Sequence, residues 1–411
     1  MKKFTKLMAL LLALIMMLSL AACAPASNDD SQNSGDSSDS SSDVATTAPN
    51  RAILGNTTEL SGDFRYPGWG GSSAGAADQD ISRLTVGYGT METNQGGAYV
   101  WSQTAVKDHT ETENEDGTAT YTVTLNEGLT FSDGTPITAA NYLVRVVAFS
   151  TPVAISAELP GTLGQSFVGF DKFSKYTGEE KEGTSKVFSG VRLIDEHTFS
   201  VTVSSDYYPY YLAYTYAAFD PDPLGLWLPE GVELKDDGEG CYLSDEFYAK
   251  NEAGEYTSAA YISGNRYDVS KYPFSGPYTI TNWDEGTKEC TLTLNPEFKG
   301  NFEGQKPSVE TIVYSKIIEE TQLEQLKTGA LDVLSNVTGG DATKAALEVV
   351  DNEKFKEVHY QRAGYGKIEF DCDFGPTAFP EVRQAIAYLL NRVEFCQAFT
   401  GGYGVVVDGP Y

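Results

Sequence analysis

The chain has 411 residues, of which 41% are hydrophobic and 12% aromatic, enough apolar side chain for more than one buried core. Its 58 Asp and Glu against 29 Lys and Arg leave a formal charge of -29, which excludes a nucleic-acid binder, because phosphate backbones need a basic face. Such acidity fits solubility, with electrostatic capture of cationic ligands as the other reading.

The chain opens on "MKKFTK", with Lys2, Lys3 and Lys6, followed by the apolar stretch "LMALLLALIMMLSL". This is the charged start and the roughly 7 to 15 residue core of a secretory signal, too short for a comfortable membrane span. Ala21 and Ala22 precede Cys23, and "LAAC" resembles the lipobox of bacterial lipoproteins. In that family the cysteine is acylated on sulfur and becomes the new N-terminus, which implies a signal peptide over 1–22 and lipidation at Cys23. Residues 23–50, rich in Ser, Asp and Asn, offer almost nothing to bury and are expected to stay disordered as a tether.

Beyond Arg51 the pattern is strand-rich with interspersed helices. "TATYTVTLNEGLTF" places Tyr121, Val123 and Leu125 on one strand face, the period-2 signature of a half-buried sheet. "FSDGTPITAANYLVRVVAF" then turns at Asp133, Gly134 and Pro136. Thr138 is set to cap a helix with Leu143, Val146 and Val147 on its apolar side. "HTFSVTV" alternates Phe199, Val201 and Val203. It leads into "YYPYYLAYTY", whose tyrosines 207, 208, 210, 211, 214 and 216 are either core filler or cleft walls, with core packing the expectation.

"GPYTITNWDEGTKECTLTLN" reads as two strands joined by a turn at Asp284, Glu285 and Gly286. "EETQLEQLKTGALDV" has Leu323 and Leu326 at helical spacing, with Gly329 as a left-handed stop. "FPEVRQAIAYLLNRVEFCQAFTGG" predicts one helix with Pro380 in its first turn, Gly401 past its end, and a stripe of Val382, Ile386, Leu389, Leu390 and Val393. Cys241, Cys290, Cys372 and Cys396 allow two disulfides in an exported protein. Because Cys290 and Cys372 alternate in phase with Leu292, Leu294, Ile368, Phe370 and Phe374, free buried thiols are expected instead.

Chemistry-bearing motifs are scarce. His109, His197 and His359 lie far apart, without HExxH or a paired cysteine motif, so no metal site and no cofactor are expected. Neither GxSxG nor GxxxxGK[ST] occurs, and "GWGG" and "GGYG" lack the spacing of nucleotide loops. Carboxylates are abundant enough for a glycosidase pair, but spacing alone does not show two of them facing each other. No enzymatic activity is expected.

Four segments in order resemble the oligopeptide and dipeptide-binding family (family 5) of extracytoplasmic solute-binding proteins of ABC transporters. They are "YTVTLNEGLTFSDGTPITAANYLV", "SGPYTITNWDEGTKECTLTLNPEFKG" with Gly276, Pro277, Tyr278, Asn295 and Pro296, "LEQLKTGALDV", and "FPEVRQAIAYLLNR" centred on Val382, Arg383, Gln384 and Ala385. The resemblance covers roughly Thr57 to Tyr411. It implies an α/β, periplasmic-binding-protein-like two-lobe fold with an extra inserted domain and mixed sheets flanked by helices. Lobe I is expected over 51–75 and 186–340, the inserted domain II over 76–185, and the start of an incomplete lobe III over 341–411, since the family's second lobe continues past the position of Tyr411.

The same resemblance implies a monomeric, lipid-anchored receptor on the extracytoplasmic face of the bacterial cell membrane. It would hold oligopeptides between lobes that close by hinge motion and hand them to an ABC permease and its ATPase. "SGDFRYPGWGG" occupies the place where lobe I leads into the cleft, making Asp63, Arg65, Tyr66 and Trp69 candidate ligand contacts. Phe370 and Asp371, with Cys372, occupy the start of the opposing cleft-facing strand. The family's aspartate for the ligand amino group would lie beyond Tyr411. Alternatives are an oligosaccharide or other solute on the same scaffold, a signalling receptor that senses peptides without importing them, and, in a different class, a secreted cell-wall hydrolase.

Overall fold

The computed structural model describes residues 50–65, 75–94, 96–156, 162–254, 264–337, 339–350, 355–359 and 365–408. Among them run strands β1 (Arg51–Asn56), β2 (Met91–Thr93), β3 (Tyr99–Trp101), β4 (Val106–Glu113), β5 (Ala119–Leu125), β6 (Val191–Leu193), β7 (Thr198–Val203), β8 (Leu234–Asp236), β9 (Cys241–Leu243), β10 (Tyr278–Asp284), β11 (Glu289–Leu294), β12 (Thr311–Lys316) and β13 (Val333–Leu334). The main helices are α1 (Ala76–Thr85), α2 (Ala139–Phe149), α3 (Asp245–Glu252), α4 (Gln322–Thr328), α5 (Gly340–Val350), α6 (Pro380–Leu389) and α7 (Arg392–Thr400). No helix among the described residues is long and apolar enough to cross a membrane.

A five-stranded sheet has the order β10-β11-β12-β1-β13. Its β10, β11 and β12 pair antiparallel, whereas β12, β1 and β13 run parallel. Its core joins Leu60, Phe64, Ile81, Phe274, Tyr278, Leu292 and Tyr314. The turn expected after Asp284 is there: its Oδ1 accepts from the Gly286 and Thr287 amides at 2.8 and 3.1 Å.

A second, four-stranded antiparallel sheet has the order β4-β5-β7-β6 and takes strands from both sides of residue 185. β5 alternates buried and half-buried residues along its whole length, as its sequence predicts. Its buried face and that of β7 pack on α2, where Leu143, Val144, Val146 and Val147 are at most 1% exposed. Burial of each such side chain contributes about 1.5–3 kcal/mol of transfer free energy. Asn141 holds the start of α2, its Oδ1 accepting from the Thr138 amide at 2.8 Å and its Nδ2 donating to the Asp222 carbonyl at 2.8 Å.

The two cores are stitched together by the segments that carry the family resemblance. In the Asp133-Gly134 turn, the Thr135 amide donates to Asp133 Oδ1 at 2.9 Å. Just before it, the Ser132 amide donates to the Phe274 carbonyl at 2.8 Å, and the Phe274 amide donates back to Ser132 Oγ at 3.0 Å. Two residues on, the Gly276 amide donates to the Thr85 carbonyl at 2.9 Å, and Asn295 Nδ2 donates to the Gly276 carbonyl at 2.8 Å. These buried bonds join α1, β10 and the Asn295-Pro296 loop.

Three expectations are corrected. The single helix after Pro380 is two helices, because Leu390 leaves the helical conformation and Asn391 caps α7, its Oδ1 accepting from the Glu394 amide at 3.3 Å. Its stripe is not buried: Leu389 is 86% and Val393 56% exposed. The tyrosines after β7 are only in part core filler: Tyr207, Tyr208, Tyr214 and Tyr216 pack half-buried against the main core, whereas Tyr210 and Tyr211 are 45% and 83% exposed. Cys372 lies outside any strand and is exposed.

All four cysteines of the described residues are free, with Cys241 and Cys290 buried. Burial pushes the Cys290 thiol up to about 12 and raises that of Cys241 as well. In a Cys23→Ser protein, native alkylation followed by peptide mapping is expected to modify Cys372 and leave Cys241 and Cys290 intact until denaturant is added. Labelling of Cys241 in the folded protein would contradict this packing.

Candidate functional site

In open α/β sheets, ligands are met beyond the carboxyl ends of parallel strands. Here β12, β1 and β13 bring their carboxyl ends together at Lys316, Asn56 and Leu334. Gly55 permits this spacing, since a Cβ there would lie 2.6 Å from Leu331 Cδ1 and 2.8 Å from Ile317 Cδ1.

A chain of polar groups sits on this edge. Fully buried Asn56 donates through Nδ2 to Tyr314 Oη at 2.7 Å, and Tyr314 donates to Asp80 Oδ2 of α1 at 2.9 Å. Asn56 Oδ1 accepts from the Thr58 amide at 2.7 Å, fixing the exit of the chain from β1. Burial, then the Asp80 charge, raises the Tyr314 phenol far above its ordinary value, so Tyr314 stays a hydrogen-bond donor. Glu59 pairs with Lys316, and Lys288 Nζ lies 3.8 Å from its Oε1, which holds the Glu59 carboxyl below its usual range.

Three residues past β12 begins the lining of an open cavity of about 520 Å³. Glu319, Glu320 and Glu324 line it together with Lys327, Leu323 and Ala342. The edge therefore offers neutral hydrogen-bonding groups beside a carboxylate-rich wall, suited to a polar ligand with a cationic end. Among the described residues, no group of three or more His, Cys, Asp or Glu is placed to hold a metal ion.

The sequence candidates divide. Asp63 and Arg65 lie on the loop that follows this edge, and both face the segment 266–274. Asp63, 4% exposed, forms a two-pronged ion pair with Arg266, with Arg266 Nε 2.7 Å from Asp63 Oδ1. Arg65 donates to the carbonyls of Pro273 at 3.1 Å and Val269 at 3.3 Å and to that of Tyr272, with its guanidinium 3.9 Å above the Phe274 ring. Burial draws the Arg65 guanidinium down to about 10. Tyr66, Trp69 and Cys23 lie outside the described residues.

Phe370 and Asp371 belong to a separate segment with local bonds. Asp371 is exposed, and its Oδ1 accepts from the Asp373 amide at 2.9 Å. Asn56, Asp80 and Tyr314 escaped the sequence reading. The one local cue was a polar residue closing the apolar run "RAILGN".

The profile of the bacterial extracellular solute-binding proteins, family 5 Middle, matches residues 104–411. No curated protein sequence matches the chain. Among solved structures, lactococcal OppA complexed with an endogenous peptide in the closed conformation is similar at a TM-score of 0.53 and 18% identity, over 86% of this chain and 59% of that one. NikZ from Campylobacter jejuni in complex with Ni(L-His) gives 0.53 and 15%, over 85% and 55%. A periplasmic oligopeptide-binding protein, OppAIV, from Borrelia burgdorferi gives 0.53 and 16%, over 85% and 58%.

The chain spans about half the length of the solved structures it matches. At such identities the likeness is one of fold, and that fold is the expected binding-protein architecture of mixed sheets flanked by helices. The chain belongs to the bacterial extracellular solute-binding proteins of family 5.

Proposed function

We propose that the chain captures oligopeptides outside the cytoplasmic membrane, without chemical change, and delivers them to an ABC permease while lipid on Cys23 keeps it at the membrane surface. The family match over residues 104–411 carries this reading. The strand edge at Asn56, Tyr314 and Asp80, with the acidic wall at Glu319 and Glu320, suits a peptide's polar backbone and amino end. Asp63 and Arg65 serve the ligand by fixing the loop 60–65 against segment 266–274, and Tyr66 and Trp69 are proposed as its direct contacts. Phe370 and Asp371 approach from the opposing side.

A second reading, a small solute such as a metal complex, is favoured by the similar fold of a protein solved with Ni(L-His). Native mass spectrometry of the full-length protein, purified without denaturation, separates them. A ladder of co-purified peptide masses is expected; a single sugar-sized or metal-complex mass would overturn the peptide reading. For the anchor, Cys23→Ser is expected to release the protein into the medium. Unchanged membrane retention would refute lipidation at that cysteine.

A further inference from the structure

The loop after β7 and the edge strand β4 enclose a second open cavity, of about 460 Å³, lined by Glu111, Tyr208, Pro209, Tyr210, Tyr211, Ala213 and Tyr214. It is built on the four-stranded sheet, whereas the polar edge described above belongs to the five-stranded one. Tyr211 is 83% exposed, Tyr210 45%, and nearby Tyr99 43%. Exposed aromatic clusters of this kind mark binding surfaces. The rings meet edge-on, Tyr210 on Tyr211 at 5.1 Å and 67° and Tyr99 on Tyr214 at 6.4 Å and 71°, so one ring of each pair gives up a face while the exposed Tyr211 keeps most of its surface open.

Two carboxylates adjoin these rings, Glu111 in the cavity lining and Glu113 through Tyr208. Glu111 Oε1 accepts from Tyr121 Oη at 3.0 Å, and Tyr208 Oη lies 2.6 Å from Glu113 Oε1 and 3.3 Å from Glu111 Oε1. The Glu113 hydrogen bond, then burial, pushes the Tyr208 phenol up to about 12, so Tyr208 stays a donor to these carboxylates. Among the described residues, no lysine or arginine lines the cavity.

We propose that this cavity is a binding site for an organic cation of the alkylammonium class, seated against the tyrosine faces and balanced by Glu111 and Glu113. A quaternary ammonium is weakly hydrated and permanently charged, and the faces of aromatic rings attract it to within about 6 Å of their centroids. The formal charge of -29 adds a long-range pull on such a ligand. The same chemistry is offered by a free cation and by the choline headgroup of a lipid.

Calorimetric titration of choline chloride into the full chain is expected to give saturable binding that weakens about tenfold or more in Tyr211→Ala and in Glu111→Gln. Tyr211 is exposed, and Gln keeps an acceptor for Tyr121, so both variants are expected to melt with the parent and to retain their co-purified peptides. The neutral isostere 3,3-dimethylbutan-1-ol is expected to bind at least about tenfold more weakly than choline. No saturable choline binding, equal binding of the neutral isostere, or unchanged affinity in both variants would overturn the site. Flotation of the Cys23→Ser protein with phosphatidylcholine vesicles, lost when Tyr211→Ala is added, would assign it to a lipid headgroup; choline binding without flotation would assign it to a free cation, and either result upholds the site.

Discussion

Gly276→Ala is expected to lower the unfolding free energy by about 3 kcal/mol or more, an unusually large effect for adding one methyl group. A Cβ at Gly276 would lie 2.4 Å from the Thr85 carbonyl carbon, 2.6 Å from the Val86 nitrogen and 2.7 Å from the Thr85 oxygen. All three are backbone atoms at the end of α1, so no rotamer change relieves the clash. The helix must move, and Asp80 moves with it away from Tyr314.

Asn295→Ala provides the comparison, because it removes the buried Nδ2 bond to the Gly276 carbonyl without adding volume, at a cost of about 1–3 kcal/mol. Gly366→Ala, where a Cβ would meet nothing, is expected to be nearly neutral. Urea midpoints at unchanged denaturant slope measure all three. A loss below about 1 kcal/mol for Gly276→Ala would mean that α1 and β10 approach less closely than described.

That contact also marks where sequence reasoning reaches its limit. The alternation of Tyr121, Val123 and Leu125, the turn after Asp284 and the left-handed Gly329 were legible because each is set by a few neighbours along the chain. The four segments resembling the family placed the fold, and the profile match over 104–411 agrees with them.

The site was less legible because its partners are distant in sequence. Asn56 finds Tyr314 across 258 positions, and Tyr314 finds Asp80 across 234. Nothing local in "GNTT" or "VYSK" announces either bond. The tyrosine run misled for a related reason: aromatic density registers burial potential, but Pro209 and the start of a short 3-10 turn at Ala213 leave Tyr210 and Tyr211 on the outside. The stripe after Pro380 kept its helical period, yet Asn391 offered the backbone a local cap and broke it.

Asp63 is where a binding residue and a structural one are hardest to tell apart by eye, and replacing it together with Arg266 separates them. The two side chains are 6% and 13% exposed and meet through two parallel contacts. Removing Arg266 strands a carboxylate out of water, and breaking such a buried pair costs about 3–5 kcal/mol. Replacing both partners, as Asp63→Leu with Arg266→Met, is expected to recover most of that loss, because neither charge is then left buried alone. Arg266→Lys is expected to fall between, since an ammonium cannot reproduce the planar fork.

If the pair is scaffolding, the double variant regains stability and still co-purifies with solute, because the loop 60–65 keeps its seat against segment 266–274 through Arg65. If Asp63 is instead a ligand contact, the double variant regains stability but loses its solute, as does every variant in which Asp63 is replaced. The enclosure of both side chains favours the first outcome.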